Sequence, residues 1–122
     1  MLAATVAHRA AHMNAIRPNP HLSRRFANFR EFYPFYLEEH SDAVCRRLHV
    51  FGTTFALFLL VTAILAGQWT LLWLVPVAGY AFAWIGHYFF QGNRPATFKH
   101  PFYSFVGDFR MLRDVVTGRI RW

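Results

Sequence analysis

The stretch from Leu48 to Asn93, LHVFGTTFALFLLVTAILAGQWTLLWLVPVAGYAFAWIGHYFFQGN, contains no Asp, Glu, Lys or Arg. A helix needs ~20 largely apolar residues to cross the hydrocarbon core of a bilayer, so this run is long enough for two crossings and a turn. Gly67-Gln68 interrupts it between Ala66 and Trp69, which predicts one helix over about 50–66 and a second over about 69–90. Trp69 and Trp73 beside the turn suit an interfacial anchor, because indole is apolar with one polar N–H. Pro76 predicts a kink in the second helix, a feature that membrane helices tolerate. A soluble bundle of this size lacks the surface to cover such a hairpin on all sides.

Composition agrees with that reading. The chain has 122 residues, 55% of them hydrophobic and only 16% charged, the reverse of a disordered chain. Length limits it to a single domain. Lys and Arg total 13 against 6 Asp and Glu, a formal charge of +7. That excess does not indicate nucleic-acid binding, because no basic patch sits on an otherwise ordinary soluble surface. A single cysteine, Cys45, excludes an intramolecular disulfide framework and a cysteine-based zinc site.

The basic residues lie beyond both outer ends of the hairpin and are missing from its turn. By the positive-inside rule both termini face the cytoplasm. The expected location is a bacterial inner membrane, or the endoplasmic reticulum in a eukaryote. Residues 1–21 carry no acid and no sustained apolar core, and read as a poorly ordered N-terminal extension. Residues 22–118 then form one membrane domain, followed by a basic tail over 119–122.

Two amphipathic segments flank the hairpin. Leu22, Phe26, Phe29, Tyr33 and Tyr36 recur at helical spacing, with Ser23 as an N-cap and Pro34 as a break. Pro101 and Gly118 mark the start and end of a last helix, with Phe102, Phe105, Phe109, Leu112 and Val116 as its stripe. Arg110 and Asp114 can pair across one turn of it. Such stripes usually mark packing faces, and beside a membrane hairpin they would lie along the cytoplasmic interface. The fold class expected is therefore all-α, an integral membrane hairpin of two transmembrane helices flanked by amphipathic interfacial helices. Small-residue spacing in the spans is too thin to predict a homo-oligomer.

Four of the seven histidines draw attention. His49 begins the first span and His87 ends the second, so an antiparallel hairpin brings them level. His40 joins them only if the chain breaks near Ser41-Asp42, since in an unbroken helix nine residues rotate it by ~180°. His100 belongs to a loop before Pro101. Ionisable side chains at a membrane span are functional candidates by default, and neutral imidazole is the commonest metal-binding side chain. Gln91 follows His87 at i+4, where a glutamate would complete a facial iron triad. Arg46, Arg47 and Arg94 at the same end suit lipid phosphates or a carboxylate entering from the bilayer. Asp108, on the last helix, is placed to support a ligand from behind or to pair with an arginine.

The blocks Tyr33-Pro34-Phe35-Tyr36-Leu37-Glu38-Glu39-His40 and Arg46-Arg47-Leu48-His49-Val50-Phe51-Gly52-Thr53 are followed by Gly79-Tyr80, by Trp84-Ile85-Gly86-His87 and by Asn93-Arg94-Pro95-Ala96-Thr97-Phe98. In that order, from about Phe32 to Gly118, the chain resembles a family of small membrane proteins long described only as a domain of unknown function. The family's characterised fungal member is an iron(II)-dependent 2-hydroxy fatty acid dioxygenase of fatty acid α-oxidation. The resemblance implies metal ligands at His40, His49 and His87, with Fe(II) as cofactor. Arg47 or Arg94 would then sit near the substrate carboxylate, with Gln91 and Asp108 behind the ligands, and the lipid bilayer would hold the fatty acyl chain. The family pattern usually has glutamate at the place of Gln91, and often Pro and Asn in the stretch holding Ala43 and Cys45. With Gln91, the site is reduced to three histidines. Individual catalytic residues are not identified at this level. Two other classes stay open: a b-type haem protein with His49 and His87 as axial ligands, and a non-enzymatic hairpin that assembles partners.

Overall fold

A computed structural model describes residues 24–122; the extension over 1–21, Leu22 and the expected cap Ser23 lie outside the described residues. Among those described there are helices and no strand. Helix α1 spans Phe29–Glu38, α2 Ala43–Ala66, α3 Leu74–Ile85 and α4 Pro101–Val116.

Asn28 caps α1, its side chain accepting the Glu31 N–H at 3.0 Å, while Glu31 accepts from the Ala27 N–H at 3.1 Å. This reciprocal arrangement satisfies amide groups that a helix start leaves open. The expected break at Pro34 does not occur. Pro34 sits on the exposed side of α1, and Phe32, Phe35 and Tyr36 are buried on the other. Burial of those three aromatic rings outweighs the one backbone bond that proline removes.

The hairpin begins earlier than expected, at Ala43 rather than about residue 50, because the Asp42 side chain accepts the Cys45 N–H at 2.8 Å and caps α2 there. Gly67, with φ 64°, ends it in the left-handed conformation, which glycine adopts without a Cβ penalty. The second arm of the hairpin is one continuous helical run in three parts: a 3₁₀ turn over Trp69–Trp73, then α3, then a π turn over Gly86–Gln91. Pro76 falls where the 3₁₀ turn has just given way to α3, a change of hydrogen-bond pattern beside the residue that cannot donate. Both runs, Ala43–Ala66 and Trp69–Gln91, are long and apolar enough to cross a membrane.

Helices α2 and α3 approach closely at glycine. A Cβ on Gly52 would lie 2.9 Å from Phe82 Cβ, and one on Gly86 3.1 Å from Cys45 Cα. At the end of the hairpin remote from its turn, α1 and α4 pack on each other and on α2. Phe32, Phe35, Tyr36, Val50, Ala96 and Met111 form the buried core there, with Phe26, Phe29, Tyr103, Leu112 and Ile120 around it. The tail is thereby tied down through Ile120, and Arg119 reaches to 3.8 Å from Asp114. The buried face of α4 is not its apolar stripe. Ser104, Gly107, Met111 and Asp114 point inward, while Phe102 and Phe105 are 72% and 58% exposed, on the surface rather than in the packing face.

Candidate metal centre

The two breaks around residues 38–42 decide the centre. After α1 ends, the His40 and Ser41 N–H groups close a last turn onto Leu37 and Glu38. Asp42 then starts α2 in a new direction, which turns His40 back toward His49 as a broken helix requires. Arg46 Nη1 locks this corner by donating to the His40 and Ser41 carbonyls at 3.0 and 2.6 Å. Gln91 staples it from the other arm of the hairpin, accepting the Asp42 N–H and donating to Ser41 Oγ, both at 2.7 Å. Gln91 therefore acts on the loop behind His40, and both ends of its amide are occupied there.

His40, His49 and His87 are all buried, and a ligand nitrogen from each falls within 4.8 Å of the others. His49 Nε2 lies 3.0 Å from His40 Nε2 and 3.0 Å from His87 Nε2. Each outer nitrogen faces an oxygen. His40 Nδ1 is 2.6 Å from the Tyr36 carbonyl, which can only accept. His87 Nδ1 is 2.7 Å from Asn93 Oδ1. The Asn93 amide is oriented by its nitrogen, which donates to the Glu39 carboxylate at 2.8 Å and to the Glu39 carbonyl at 3.2 Å. His49 Nδ1 stands 3.2 Å from Asp108 Oδ1, at ion-pair distance though not aligned as a hydrogen bond. Each Nδ1 thus faces an oxygen, and with the proton on that nitrogen each Nε2 would present its lone pair to the other two.

Three lone pairs aimed at one point repel unless a cation sits among them. An imidazole–metal bond of about 2.1 Å places neighbouring nitrogens about 3.0 Å apart at a right angle and about 3.4 Å apart at the tetrahedral angle. The distances in the cluster suit a metal held by three neutral nitrogens. Burial, followed by the nearby His49 and His87, pushes the His40 pKa well down and keeps its lone pair available. Tyr36, raised by burial and then by Asp108, keeps its proton and donates it to Asp108 Oδ1 at 2.5 Å. Outer partners of this kind orient metal-binding imidazoles.

A cavity of about 360 Å³ reaches all three histidines and continues between α2 and α3 along Thr53, Leu57, Leu60, Val75, Pro76 and Gly79. The centre is closed behind by protein and open toward this apolar space, as a reactive site is and a structural one is not. Neither Arg47 nor Arg94 lines it. Arg47 is exposed and lies 3.4 Å from the Trp122 carbonyl, and exposed Arg94 stacks over the Phe98 ring, 5.6 Å from its centroid. Asp108 pairs with His49 and Tyr36 rather than with an arginine. His100 stands apart, against the rings of Phe26, Phe32 and Phe35.

Sequence reasoning missed Asn93, Tyr36 and Glu39 as parts of the centre. Asn93 follows a π turn and Glu39 ends a helix, so no periodicity relates either to a histidine. The Tyr36 contribution is partly a backbone carbonyl, which any residue could supply.

Searches of curated proteins and of solved structures found no significant match. A family model described as 2-hydroxy-palmitic acid dioxygenase Mpo1-like matches residues 26–120, a range that includes all three histidines and the partners of each. The chain belongs to the Mpo1-like family.

Proposed function

We propose that this protein is a membrane-embedded, non-haem iron(II) dioxygenase that shortens 2-hydroxy fatty acids by one carbon. The observation that carries the reading is the convergence of three buried imidazole nitrogens at one end of an apolar cavity. Membership in a family described by a 2-hydroxy-palmitic acid dioxygenase supports the reaction class. Membrane insertion is supported by exposure: only 33% and 17% of the most apolar stretches of the two crossings is buried, whereas a core helix of a soluble bundle is mostly covered. Both termini and the histidine centre would then lie on the cytoplasmic side, with Arg47 and Arg94 among lipid head groups.

His40, His49 and His87 would hold the metal. Iron(II) bound there would supply a redox-active Lewis acid at which dioxygen is reduced. The protein's part is to keep three ligands neutral, fixed in rotation by Tyr36, Asp108 and Asn93, and to leave the cavity side free for the substrate. Among the described residues no Lys or Arg lines the cavity, so a metal held by the histidines would be the group to receive the substrate's hydroxyl and carboxylate. The overall change balances as a 2-hydroxy acid plus O₂ giving the acid one carbon shorter, carbon dioxide and water. The C1–C2 bond breaks, the two carbons together lose four electrons, and O₂ accepts them.

The b-type haem alternative fits poorly. Axial nitrogens on opposite faces of a porphyrin stand about 4 Å apart, whereas His49 and His87 Nε2 are 3.0 Å apart with His40 beside them. The test is metal analysis of protein purified without oxygen, beside a His40/His49/His87 triple-alanine variant, with oxygen uptake on 2-hydroxypalmitate. Near-stoichiometric iron without a Soret band, lost in the variant, together with one O₂ consumed per acid, is the expected result. A metal-free wild-type protein overturns the reading in favour of a non-enzymatic hairpin.

A further inference from the structure

The cavity has a direction. Leu60, its lining residue furthest along α2, lies eleven residues beyond His49, a rise of about 16 Å. That carries the cavity from the histidines toward the turn of the hairpin, away from the basic end of the molecule. Toward Leu60 its walls are aliphatic, and Tyr80, Trp84 and Phe105, which also line it, are exposed by 44%, 42% and 58%. A polar head at the histidines and an unbranched apolar chain pointing toward the turn would match both ends of it.

Gly79 lines the cavity from α3, its carbonyl oxygen 3.3 Å from the Cβ position of Gly52 on α2. That places it about one helical turn below His49, with Ala56 one turn further on. A Cβ on Gly79 meets nothing within 4 Å, so this position tolerates a side chain and the space is open. At both positions the lining residue carries no side chain or a methyl alone.

We infer that the channel from His49 to Leu60 is the acyl-chain site, and that Gly79 and Ala56 set how long a chain this protein accepts. The inference rests on the proposed dioxygenase reading and adds to it the orientation of the substrate, head at the metal and methyl end toward the hairpin turn. A leucine at either position puts a branched side chain across the path of a long acyl chain, while a short one ends before it.

The experiment compares wild type, Gly79→Leu and Ala56→Leu, each first checked for unchanged metal content and thermal midpoint. The rates read are kcat/KM for 2-hydroxypalmitate and 2-hydroxyhexanoate. A second readout needs no turnover: a 2-hydroxypalmitate analogue with a diazirine near its methyl end is photolysed with the protein in nanodiscs, and the labelled peptides are mapped. Overpacking of a filled channel predicts that the long-to-short ratio falls by about tenfold or more, and that labelling at Leu57 and Leu60, competed by unlabelled acid in wild type, disappears. A ratio and a labelling pattern unchanged in both variants overturn the inference. If wild type oxidises neither acid yet labels competitively at Leu57 and Leu60, the channel stands and the dioxygenase reading falls; no competed label in wild type removes the channel whatever the turnover.

Discussion

His49 and His87 bring their Nε2 atoms to 3.0 Å although the two residues are separated by nearly the whole hairpin. Helix geometry produces this meeting. Side chains lean toward the N-terminus of their own helix, so in an antiparallel pair His49 leans away from the turn and His87 leans toward it. Their Cα atoms need not be level for the rings to meet. Gly86, against Cys45, lets the backbones approach at that point.

Asp108→Leu removes the carboxylate beside His49 Nδ1, and Asn93→Leu removes the acceptor that holds His87 from behind. Loss of such a partner lowers metal affinity by about 10–100-fold, to be measured by titration against a chelator of known affinity. Asp108→Glu recovers part of the loss if the carboxylate acts through His49. Affinity unchanged in both variants would mean that the outer partners do not position the ligands.

Gln91→Glu separates two roles for that position. The carboxylate still accepts the Asp42 N–H, and Ser41 Oγ can turn to donate to it, so the corner behind His40 survives. Metal affinity is expected to stay within about threefold of wild type, smaller than the change a ligand or its direct support produces. A gain of about tenfold or more would show that the side chain swings into the ligand set.

Gly107→Ala tests the seat of Tyr36. The new methyl would stand 2.8 Å from Tyr36 Cε2, and that ring is buried with its hydroxyl tied to Asp108. Overpacking costs about 1–3 kcal/mol, read as a lower thermal midpoint in detergent, and weaker metal binding follows because His40 hangs on the Tyr36 carbonyl. Gly79→Ala, with nothing within 4 Å, is the control and should not lower the midpoint.

Asp114 should give the fold part of its acid sensitivity. Burial alone would raise this carboxyl, but hydrogen bonds from Tyr33 and Arg110 and the charges of Arg110 and Arg119 outweigh it and hold it below its ordinary value. A depressed carboxyl contributes stability that is complete above the unfolded value of about 3.9 and is lost as pH falls through the folded value. Asp114→Asn should therefore cost about 1–3 kcal/mol near neutrality. Its deficit against wild type, followed by thermal melts from about pH 7 down to about pH 3, should narrow with acid. A deficit constant over that range would assign the loss to packing alone.

The hairpin was legible because it depends on length and on the absence of charge between Leu48 and Asn93, both one-dimensional properties set by the solvation of apolar and ionised groups. So were the turn at Gly67, the cap at Asp42 and the proline start of α4, which depend on a residue's own backbone chemistry. The histidine set was legible once Ser41-Asp42 was read as a break. Tertiary structure alone decided which face of α4 is buried, since its fit against Tyr36 favours Gly107 and Ser104 over the phenylalanine stripe. It likewise carried α1 through Pro34, where three aromatic rings outweigh one lost backbone bond. The supports of the three imidazoles come from Tyr36, Asn93 and Asp108, on segments of unrelated spacing, and Gln91, which the spacing placed beside the histidines, bonds instead to the Ser41-Asp42 corner. A hydrogen bond is a matter of ångströms between such segments, and no periodicity along the chain encodes it.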